Sequence, residues 1–171
     1  DFNIVLDSTS LQDKESVNLA DLIEQAITER TLDIKRKRIN IDRYYSNIVI
    51  ESNTKQLAVI IDNLLSNAIN YSPVDGTIKI FVQCRQHQLE FSISDQGDGI
   101  KEEQKDKIFD AFYQGTAPKN YNIKSSGLGL TIVKELLMRL NGNIFVDSQT
   151  VNPSGTTVKI VFSNITSDEI L

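Results

Sequence analysis

The stretch Asp95-Gln96-Gly97-Asp98-Gly99-Ile100 decides the fold of this chain, because it joins a carboxylate to two spaced glycines. The six residues before it, 89–94, alternate between apolar and polar side chains. This alternation predicts a half-buried strand that delivers Asp95 to its end. Gly97 and Gly99 lack a Cβ, so a flat ligand could approach the main chain closely. On its own, however, an Asp beside glycines is usually a turn.

A row of asparagines lies on a predicted helix upstream. Apolar residues at helical spacing indicate that this helix begins at residue 53 or 54 and ends at 72–73. Asn63, Asn67 and Asn70 are spaced four and three apart on the flank of its apolar face, so their side chains are neighbours. Asparagine favours caps and turns over helix interiors. The row is therefore either a polar edge that faces water or part of a ligand site.

The remaining patterns alternate between helix and strand, and neighbouring strands are expected to pair as hairpins rather than through crossovers. They predict a helix capped by Asn18, short strands around Ile39–Ile41 and Ile48–Ile50, a hairpin of Thr77–Cys84 with Leu89–Ser94, a short helix Glu102–Phe109, a helix that ends at Asn141–Gly142, and last strands Ile144–Val146 and Thr156–Phe162. The fold class that follows is an α/β two-layer sandwich, a mixed sheet of about five strands packed on about three helices.

Length and composition predict one domain with a hydrophobic core, since the chain has 171 residues of which 40% are hydrophobic. Residues 1–16 are expected to be the end of an upstream helix and a linker, 17–163 the domain, and 164–171 a frayed C-terminal tail. No apolar run approaches the ~18 residues of a membrane helix, which favours a soluble, cytoplasmic domain. The formal net charge of -5 disfavours nucleic acid as a partner.

Three smaller features are predicted to have structural roles. The basic run Lys35 to Arg38 follows a helical pattern and is expected to be a solvated helix end. The single histidine, His87, lies in the predicted hairpin turn without a metal-ligand partner at a useful spacing, so it is expected to be an exposed turn residue. The single cysteine, Cys84, falls on the apolar side of a strand and is expected to be a core hydrophobe.

The segment Gln114 to Ser126 has no periodicity and contains Gly115 and Pro118. Such a loop inside a compact domain is usually functional or mobile. It leads into 126–130, where glycines open a helix and leave backbone N–H groups exposed to an anion. We expect the segment to be a mobile lid that gains order when phosphates bind.

In this order, these features resemble the ATP-binding fold shared by gyrase, a heat-shock chaperone, mismatch-repair ATPases and sensor histidine kinases. Over roughly residues 17 to 163, the chain looks like the catalytic and ATP-binding domain of a sensor histidine kinase. The motifs that resemble this family are the N box at Asn63–Pro73, the first glycine box at Asp95–Ile100, the F box at Phe109–Tyr113 and the second glycine box at Ser125–Leu130.

The resemblance implies that ATP and Mg²⁺ bind here. Asp95 would accept a hydrogen bond from the 6-amino group of adenine and reject guanine, which offers an acceptor at that position. Asn67 would give an amide oxygen to Mg²⁺, and Tyr71 would flank the nucleotide. Lys119 and Lys124 could meet phosphate oxygens, or either could be merely solvated.

The site residues implied by the resemblance fall into two overlapping groups. Those expected to take part in catalysis are Asn63, Asn67 and Lys124. Those expected to bind the nucleotide, with Asn67 also as the metal ligand, are Asn67, Asn70, Tyr71, Asp95, Gly97, Gly99, Ile100, Phe112, Lys119, Lys124, Ser126, Gly127, Leu128, Gly129 and Leu130.

Three positions depart from the family pattern, so the phosphate contacts are expected to differ. Asn70 stands where the family commonly has Lys, Gln114 where Arg often follows the F box, and Ser125 in place of the first glycine of the second box. Asn63 stands where gyrase-like ATPases carry a glutamate that activates water, and an amide cannot act as a general base. The resemblance therefore implies a kinase rather than an efficient hydrolase.

The activity implied by the resemblance is transfer of the γ-phosphate of ATP to a histidine in two-component signalling. The family's acceptor histidine precedes an acidic residue and has a proline nearby, whereas His87 is followed by Gln88. The chain thus looks like the catalytic half of a protein-histidine kinase, monomeric and inactive alone. Its partners would be the dimerisation and phosphoacceptor domain of the same protein, which would be a homodimer and could be anchored in the inner membrane, and a response regulator.

Two alternatives remain open from the sequence. The chain could be a nucleotide-sensing module without catalysis, which the departures at Asn70 and Gln114 favour. It could also be a protein-serine or anti-sigma kinase of the same fold.

Overall fold

The computed structural model describes residues 14–110, 129–163 and 165, and the backbone of 167–170. In chain order the elements are β1 (Glu15–Asn18), α1 (Leu19–Glu29), α2 (Thr31–Lys37), β2 (Asn40–Tyr44), β3 (Asn47–Ser52), α3 (Thr54–Tyr71), β4 (Thr77–Arg85), β5 (Gln88–Asp95), α4 (Gly129–Arg139), β6 (Gly142–Gln149), β7 (Gly155–Phe162) and β8 (Ser167–Ile170).

A five-stranded mixed sheet in the order β2-β4-β5-β7-β6 forms one layer of the molecule. Strands β2 and β4 run parallel, and the other neighbours are antiparallel. Helices α3 and α4 pack together over the sheet, and α1 packs against α3. The apolar face predicted for α3 is buried, at Leu57, Ile60, Ile61, Leu64, Leu65 and Ala68. The predicted two-layer α/β sandwich is confirmed.

A second, three-stranded antiparallel sheet has the order β1-β3-β8. It contributes Val17, Ile48 and Ile50 to the core. The structure differs here from the expected linker before residue 17, because β1 already begins at Glu15. The expectation of a frayed tail is wrong for 167–170, because this segment pairs with β3. Its backbone hydrogen bonds join two segments far apart in the chain, which local composition does not reveal.

The pairing of neighbouring strands also differs from the expectation. β2 and β3 follow one another in the chain but lie in different sheets, and β2 pairs in parallel with β4 after a crossover through α3. The β4–β5 and β6–β7 pairs are antiparallel hairpins. An alternating pattern specifies which face of a strand is buried but does not specify which edge it joins, so the crossover was missed.

The expectation of a solvated helix end is wrong for one residue of the basic run 35–38. Lys37 is only 2% exposed. Its ammonium donates hydrogen bonds to the carbonyl oxygens of Ile69, Asn70 and Ser72 at the end of α3. A charged group can be buried when its donors are satisfied, and three carbonyl oxygens do this here.

The prediction of a short helix over Glu102–Phe109 is also wrong. Glu102–Gln104 is a single 3₁₀ turn, and the chain then continues in further turns. The N–H of Lys107 donates to the carbonyl of Gln104, and the N–H of Asp110 to that of Lys107. These three-residue spacings belong to tight turns, and the charged sequence offers no apolar stripe on which an α-helix could pack.

Several local predictions are confirmed. Asn18 caps α1 by accepting from the N–H of Asp21. α3 begins at Thr54, within the predicted bounds, and Asn53 caps it by accepting from the N–H of Gln56. His87 is exposed in the β4–β5 turn, and Cys84 packs partly buried against the core. Within the part of the chain that the structure describes, no helix is long and apolar enough to span a membrane.

Candidate nucleotide-binding site

The asparagine row lies along one edge of α3, where Asn63, Asn67 and Asn70 are each partly buried. Nδ2 of Asn63 donates to the carbonyl oxygen of Val59, one turn earlier, at 2.8 Å. The amide oxygen of Asn63 lies beside α4: a Cβ placed on Gly129 would come within 3.1 Å of it, and within 3.8 Å of the amide oxygen of Asn67. The start of α4 therefore lies directly against the asparagine row.

The carboxylate of Asp95 lies at the end of β5, where two backbone groups hold it. Its Oδ1 accepts a hydrogen bond from the N–H of Gly97 at 2.8 Å, and the N–H of Thr156 is a second donor. Burial raises the pKa of Asp95 to about 6, against the opposing effects of both N–H groups and of the Lys37 charge. Asp95 is thus a largely enclosed acceptor whose charge changes near neutral pH.

The glycines after Asp95 are required by close packing. A Cβ on Gly97 would collide with the carbonyl oxygen of Tyr71, the last residue of α3. Gly99 has a φ of +81°, and a Cβ there would collide with the carbonyl oxygen of Gln149. The first glycine box therefore joins the end of α3 to the β6–β7 turn, with Asp95 between them.

Two hydroxyl groups support the glycine box, and sequence analysis missed both. Oγ of Ser148 accepts a hydrogen bond from the N–H of Ile100 at 2.8 Å and lies 2.7 Å from Oγ1 of Thr156. Because Thr156 also donates its N–H to Asp95, the pair ties both ends of the box to the sheet. The available signal was strand alternation, which places these two polar residues on the apolar side of β6 and β7.

The segment after the glycine box is anchored to α4. Oγ1 of Thr131 donates to the carbonyl oxygen of Phe109 at 2.8 Å. The ammonium of Lys134 lies 5.3 Å from the centre of the Phe109 ring, within range of a cation–π interaction. Phe109 is the first residue of the predicted F box, so this box begins in contact with the helix that Gly129 opens.

The described candidates fall into two clusters along α3. One contains Asn63, Asn67 and Gly129, and the other contains Tyr71, Asp95 and Gly97. Asn70 lies beside the second cluster, Gly99 and Ile100 continue the glycine box, and Leu130 packs partly buried on the core. The candidates Phe112, Lys119, Lys124, Ser126, Gly127 and Leu128, and the predicted lid with Gln114 and Ser125, lie outside the described residues.

The described side chains do not form a metal cage. Among them, no group of three or more His, Cys, Asp and Glu residues could hold a metal ion. The asparagine row supplies amide oxygens instead, which are neutral ligands for a hard cation.

Comparison with known proteins agrees with this arrangement. Residues 52–165 match the family described as "Histidine kinase-, DNA gyrase B-, and HSP90-like ATPase". The matched range contains all of α3, the first glycine box and α4.

Similar proteins include sensor histidine kinases. The sensor histidine kinase WalK of Bacillus subtilis (strain 168) is 33% identical over 114 residues, which are 66% of this chain and 18% of WalK. The signal transduction histidine-protein kinase/phosphatase MprB of Mycobacterium sp. (strain KMS) is 31% identical over 153 residues, which are 86% of this chain and 28% of MprB. This chain therefore spans less than a third of the length of either relative.

A solved structure of a mycobacterial sensor histidine kinase, MprB, has the same fold. It matches with a TM-score of 0.74 at 27% sequence identity, covering 88% of this chain and 97% of that chain. The resemblance to the catalytic and ATP-binding domain of a histidine kinase is confirmed. The family match covers most of the residues that build the site, and the chain belongs to the histidine kinase-, DNA gyrase B-, and HSP90-like ATPases.

Proposed function

We propose that this chain binds Mg-ATP and transfers its γ-phosphate to a histidine on a separate dimerisation domain, as the catalytic half of a protein-histidine kinase in two-component signalling. The observation that carries the proposal is the division of the site along α3. Tyr71, the last residue of α3, packs on Gly97 beside Asp95, whereas Asn63, in the middle of the helix, faces Gly129. The spacing between Asn63 and Tyr71, roughly 12 Å for eight residues, separates a place for the base from a place for the phosphates.

Asp95 supports the choice of adenine over guanine. Its carboxylate is an acceptor only, and two of its lone-pair positions are already used by backbone N–H groups. The 6-amino group of adenine can donate to a remaining position, whereas guanine would place a second acceptor there. A hydrogen bond to a charged group contributes about 1.5–3 kcal/mol, so we expect ATP to bind roughly ten- to a hundredfold more tightly than GTP.

Asn67 is the proposed protein ligand of Mg²⁺. Magnesium keeps several waters and binds through one or two protein oxygens together with substrate phosphates. An amide donor beside the start of α4, with no acidic cage among the described residues, fits such a site. The ion would supply charge neutralisation, while the backbone N–H groups of the glycine-led start of α4 orient the phosphates.

The acceptor must come from another domain. His87 lies at the opposite end of β5 from Asp95, which is roughly 25 Å at about 3.3 Å per residue. Asn63 cannot take a proton from water, and its nitrogen already donates to Val59. A neutral imidazole presented in line can attack the γ-phosphorus directly, forming an N–P bond as the bond to the bridging oxygen breaks and ADP leaves.

The proposed partners follow from the placement of the acceptor histidine on another domain. The acceptor histidine would lie on the dimerisation and phosphoacceptor domain of a homodimeric full-length protein, and a response regulator would receive the phosphoryl group. The transfer is expected in the cytoplasm, where ATP is supplied. The full-length protein could be anchored in the inner membrane.

The decisive test is transfer of labelled γ-phosphate from ATP with the chain alone, with an added dimerisation domain, and with Asn67→Ala as the control. We expect acid-labile, base-stable label on the added domain only, and its loss in Asn67→Ala. Label on His87 of the chain alone, or rapid ATP hydrolysis, would contradict the proposal. Label on serine would favour a protein-serine kinase, and nucleotide binding without transfer would favour a nucleotide-sensing module.

A further inference from the structure

We infer that Lys37 is a positioning residue for the nucleotide: its ammonium holds the end of α3 that carries Asn70 and Tyr71. The inference rests on the proposed function, because it assigns Lys37 to the adenine end of that site. Lys37 itself is buried and is not proposed to touch the ligand.

The ammonium of Lys37 caps α3 from another helix. Nζ lies 2.8 Å from the carbonyl oxygen of Ile69, 2.9 Å from that of Asn70 and 2.8 Å from that of Ser72. The last carbonyls of a helix have no partner within it and carry partial negative charge, so a cation there is favourable. The last turn of α3 has no basic residue of its own, and α2 supplies the cation instead.

Backbone hydrogen bonds between the end of α2 and the turn after α3 fix the position of the Lys37 ammonium. The N–H of Asp75, in the turn after α3, donates to the carbonyl oxygen of Lys37 at 2.8 Å. The N–H of Asn40, after α2, donates to the carbonyl oxygen of Gly76 at 2.9 Å. Arg38 ends α2 in the left-handed conformation, which turns the chain back towards these bonds. Lys37 is therefore held at both its backbone and its ammonium.

The segment that Lys37 holds forms one wall of the adenine end. The carbonyl oxygen of Tyr71 packs so closely on Gly97 that no Cβ would fit between them. A shift of the last turn of α3 would therefore move the glycine box, which also positions the carboxylate of Asp95 through the Gly97 N–H. Asn63, two turns earlier along α3, and Gly129, at the start of α4, do not depend on this contact.

Charge provides a second link between Lys37 and the site. Burial lowers the pKa of Lys37, and the charges of Asp33 and Asp95 oppose that effect. In return, the charge of Lys37 opposes the rise that burial causes in the pKa of Asp95. Loss of the ammonium should therefore both loosen the adenine end and make Asp95 harder to ionise.

The test compares Lys37→Met with Arg30→Met as a matched control. Arg30 binds the middle of α3 through a two-point ion pair with Asp62, at 3.0 and 2.8 Å, away from the adenine end. Calorimetric titration with ADP and GDP is done at a temperature at which circular dichroism shows both variants folded. For Lys37→Met we expect about tenfold weaker ADP binding and GDP binding within about twofold of the wild type. Arg30→Met should keep the wild-type ratio of ADP to GDP affinity.

A carbon-13 NMR titration of the Asp95 carboxyl group gives a readout that general destabilisation would not move. Its midpoint should rise in Lys37→Met and stay at the wild-type value in Arg30→Met. Lys37→Arg keeps the charge, so it should regain part of the ADP preference that Lys37→Met loses. If Lys37→Met does not fold, the ratio of ADP to GDP affinity in Lys37→Arg is compared with that of the wild type. A ratio that differs from the wild type supports the inference, and an equal ratio overturns it.

The inference would also be overturned if folded Lys37→Met kept both the wild-type ratio of ADP to GDP affinity and the wild-type midpoint of the Asp95 titration. Absence of an ADP preference in the wild type would instead contradict the adenine assignment, and the Asp95 midpoint would then decide the role of Lys37.

Discussion

The two ends of the proposed site, which follow one another along α3, are built in different ways. At the proposed adenine end, where α3 ends, the backbone of Tyr71 packs on the backbone of Gly97, and Lys37 binds the last carbonyls of the helix. At the proposed phosphate end, in the middle of α3, Gly129 faces the side chain of Asn63, and a Cβ would still keep 3.1 Å from its oxygen. Backbone contacts cannot yield without moving whole elements, whereas an amide side chain can rotate. The proposed site therefore has a rigid wall of backbone where the base would bind and an adjustable wall of side chains where the phosphates would bind.

The largest effect is expected for Gly97→Ala. The new methyl group would collide with the carbonyl oxygen of Tyr71, so either the end of α3 or the glycine box must move. We expect the free energy of unfolding to fall by about 1–3 kcal/mol and ADP affinity to fall about a hundredfold. Urea denaturation and calorimetric titration measure the two effects. Wild-type affinity in a folded Gly97→Ala variant would show that the adenine wall is not rigid.

An intermediate effect is expected from the charge of Asp95. Its pKa is about 6 in the folded chain against an ordinary value of 3.8, so the folded state holds this proton over a pH range in which the unfolded state has lost it. The free energy of unfolding should therefore decrease as pH rises from about 4 to about 6, by at most ~3 kcal/mol. ADP binding requires the charged carboxylate and should strengthen from about pH 5 to about pH 7.

Asp95→Asn is the control for this pH effect, because an amide does not titrate in this range. The difference in unfolding free energy between wild type and Asp95→Asn isolates the one group from the other carboxylates. A difference that stays constant across the range would mean that Asp95 is not held in a buried, desolvated position. The variant should also bind ADP more weakly at neutral pH, with little dependence on pH.

The smallest effect is expected for Gly129→Ala, the counterpart of Gly97→Ala at the phosphate end. Among the described residues, the atoms nearest to the added methyl group belong to the amide groups of Asn63 and Asn67, which can shift by a few tenths of an ångström. Alanine is also the better helix former, by about 1 kcal/mol in a helix interior. We expect the free energy of unfolding to change by less than about 1 kcal/mol and ADP affinity by less than about fivefold. Losses equal to those of Gly97→Ala would remove the contrast between the two ends.

Local patterns were sufficient to predict the parts of this molecule in which neighbours along the chain determine the structure. The stripe and the start of α3, the cap at Asn18, and the strand that ends at Asp95 all follow from spacing and residue type. The family motifs then pointed to the residues of both clusters in the candidate site.

Distant contacts explain what sequence analysis missed. Lys37 resembles any solvated lysine until the carbonyls of Ile69, Asn70 and Ser72 are placed beside it, and they lie more than thirty positions away. The parallel pairing of β2 with β4 and the docking of β8 on β3 likewise depend on edges that become neighbours only in the folded chain. A hydrophobic pattern encodes which face is buried, and it leaves the backbone partners unspecified.

The three-stranded sheet connects the chain before β1 to α3, so it could transmit force between them. β1 lies along β3, with Glu15 opposite Ser52, and the next residue after β3, Asn53, caps α3. A one-residue slip of β1 would turn the buried Val17 out to solvent, so the two strands resist sliding. A pull on the chain ahead of Glu15 would thus be transmitted through β3 to the first turn of α3, the helix that carries the asparagine row.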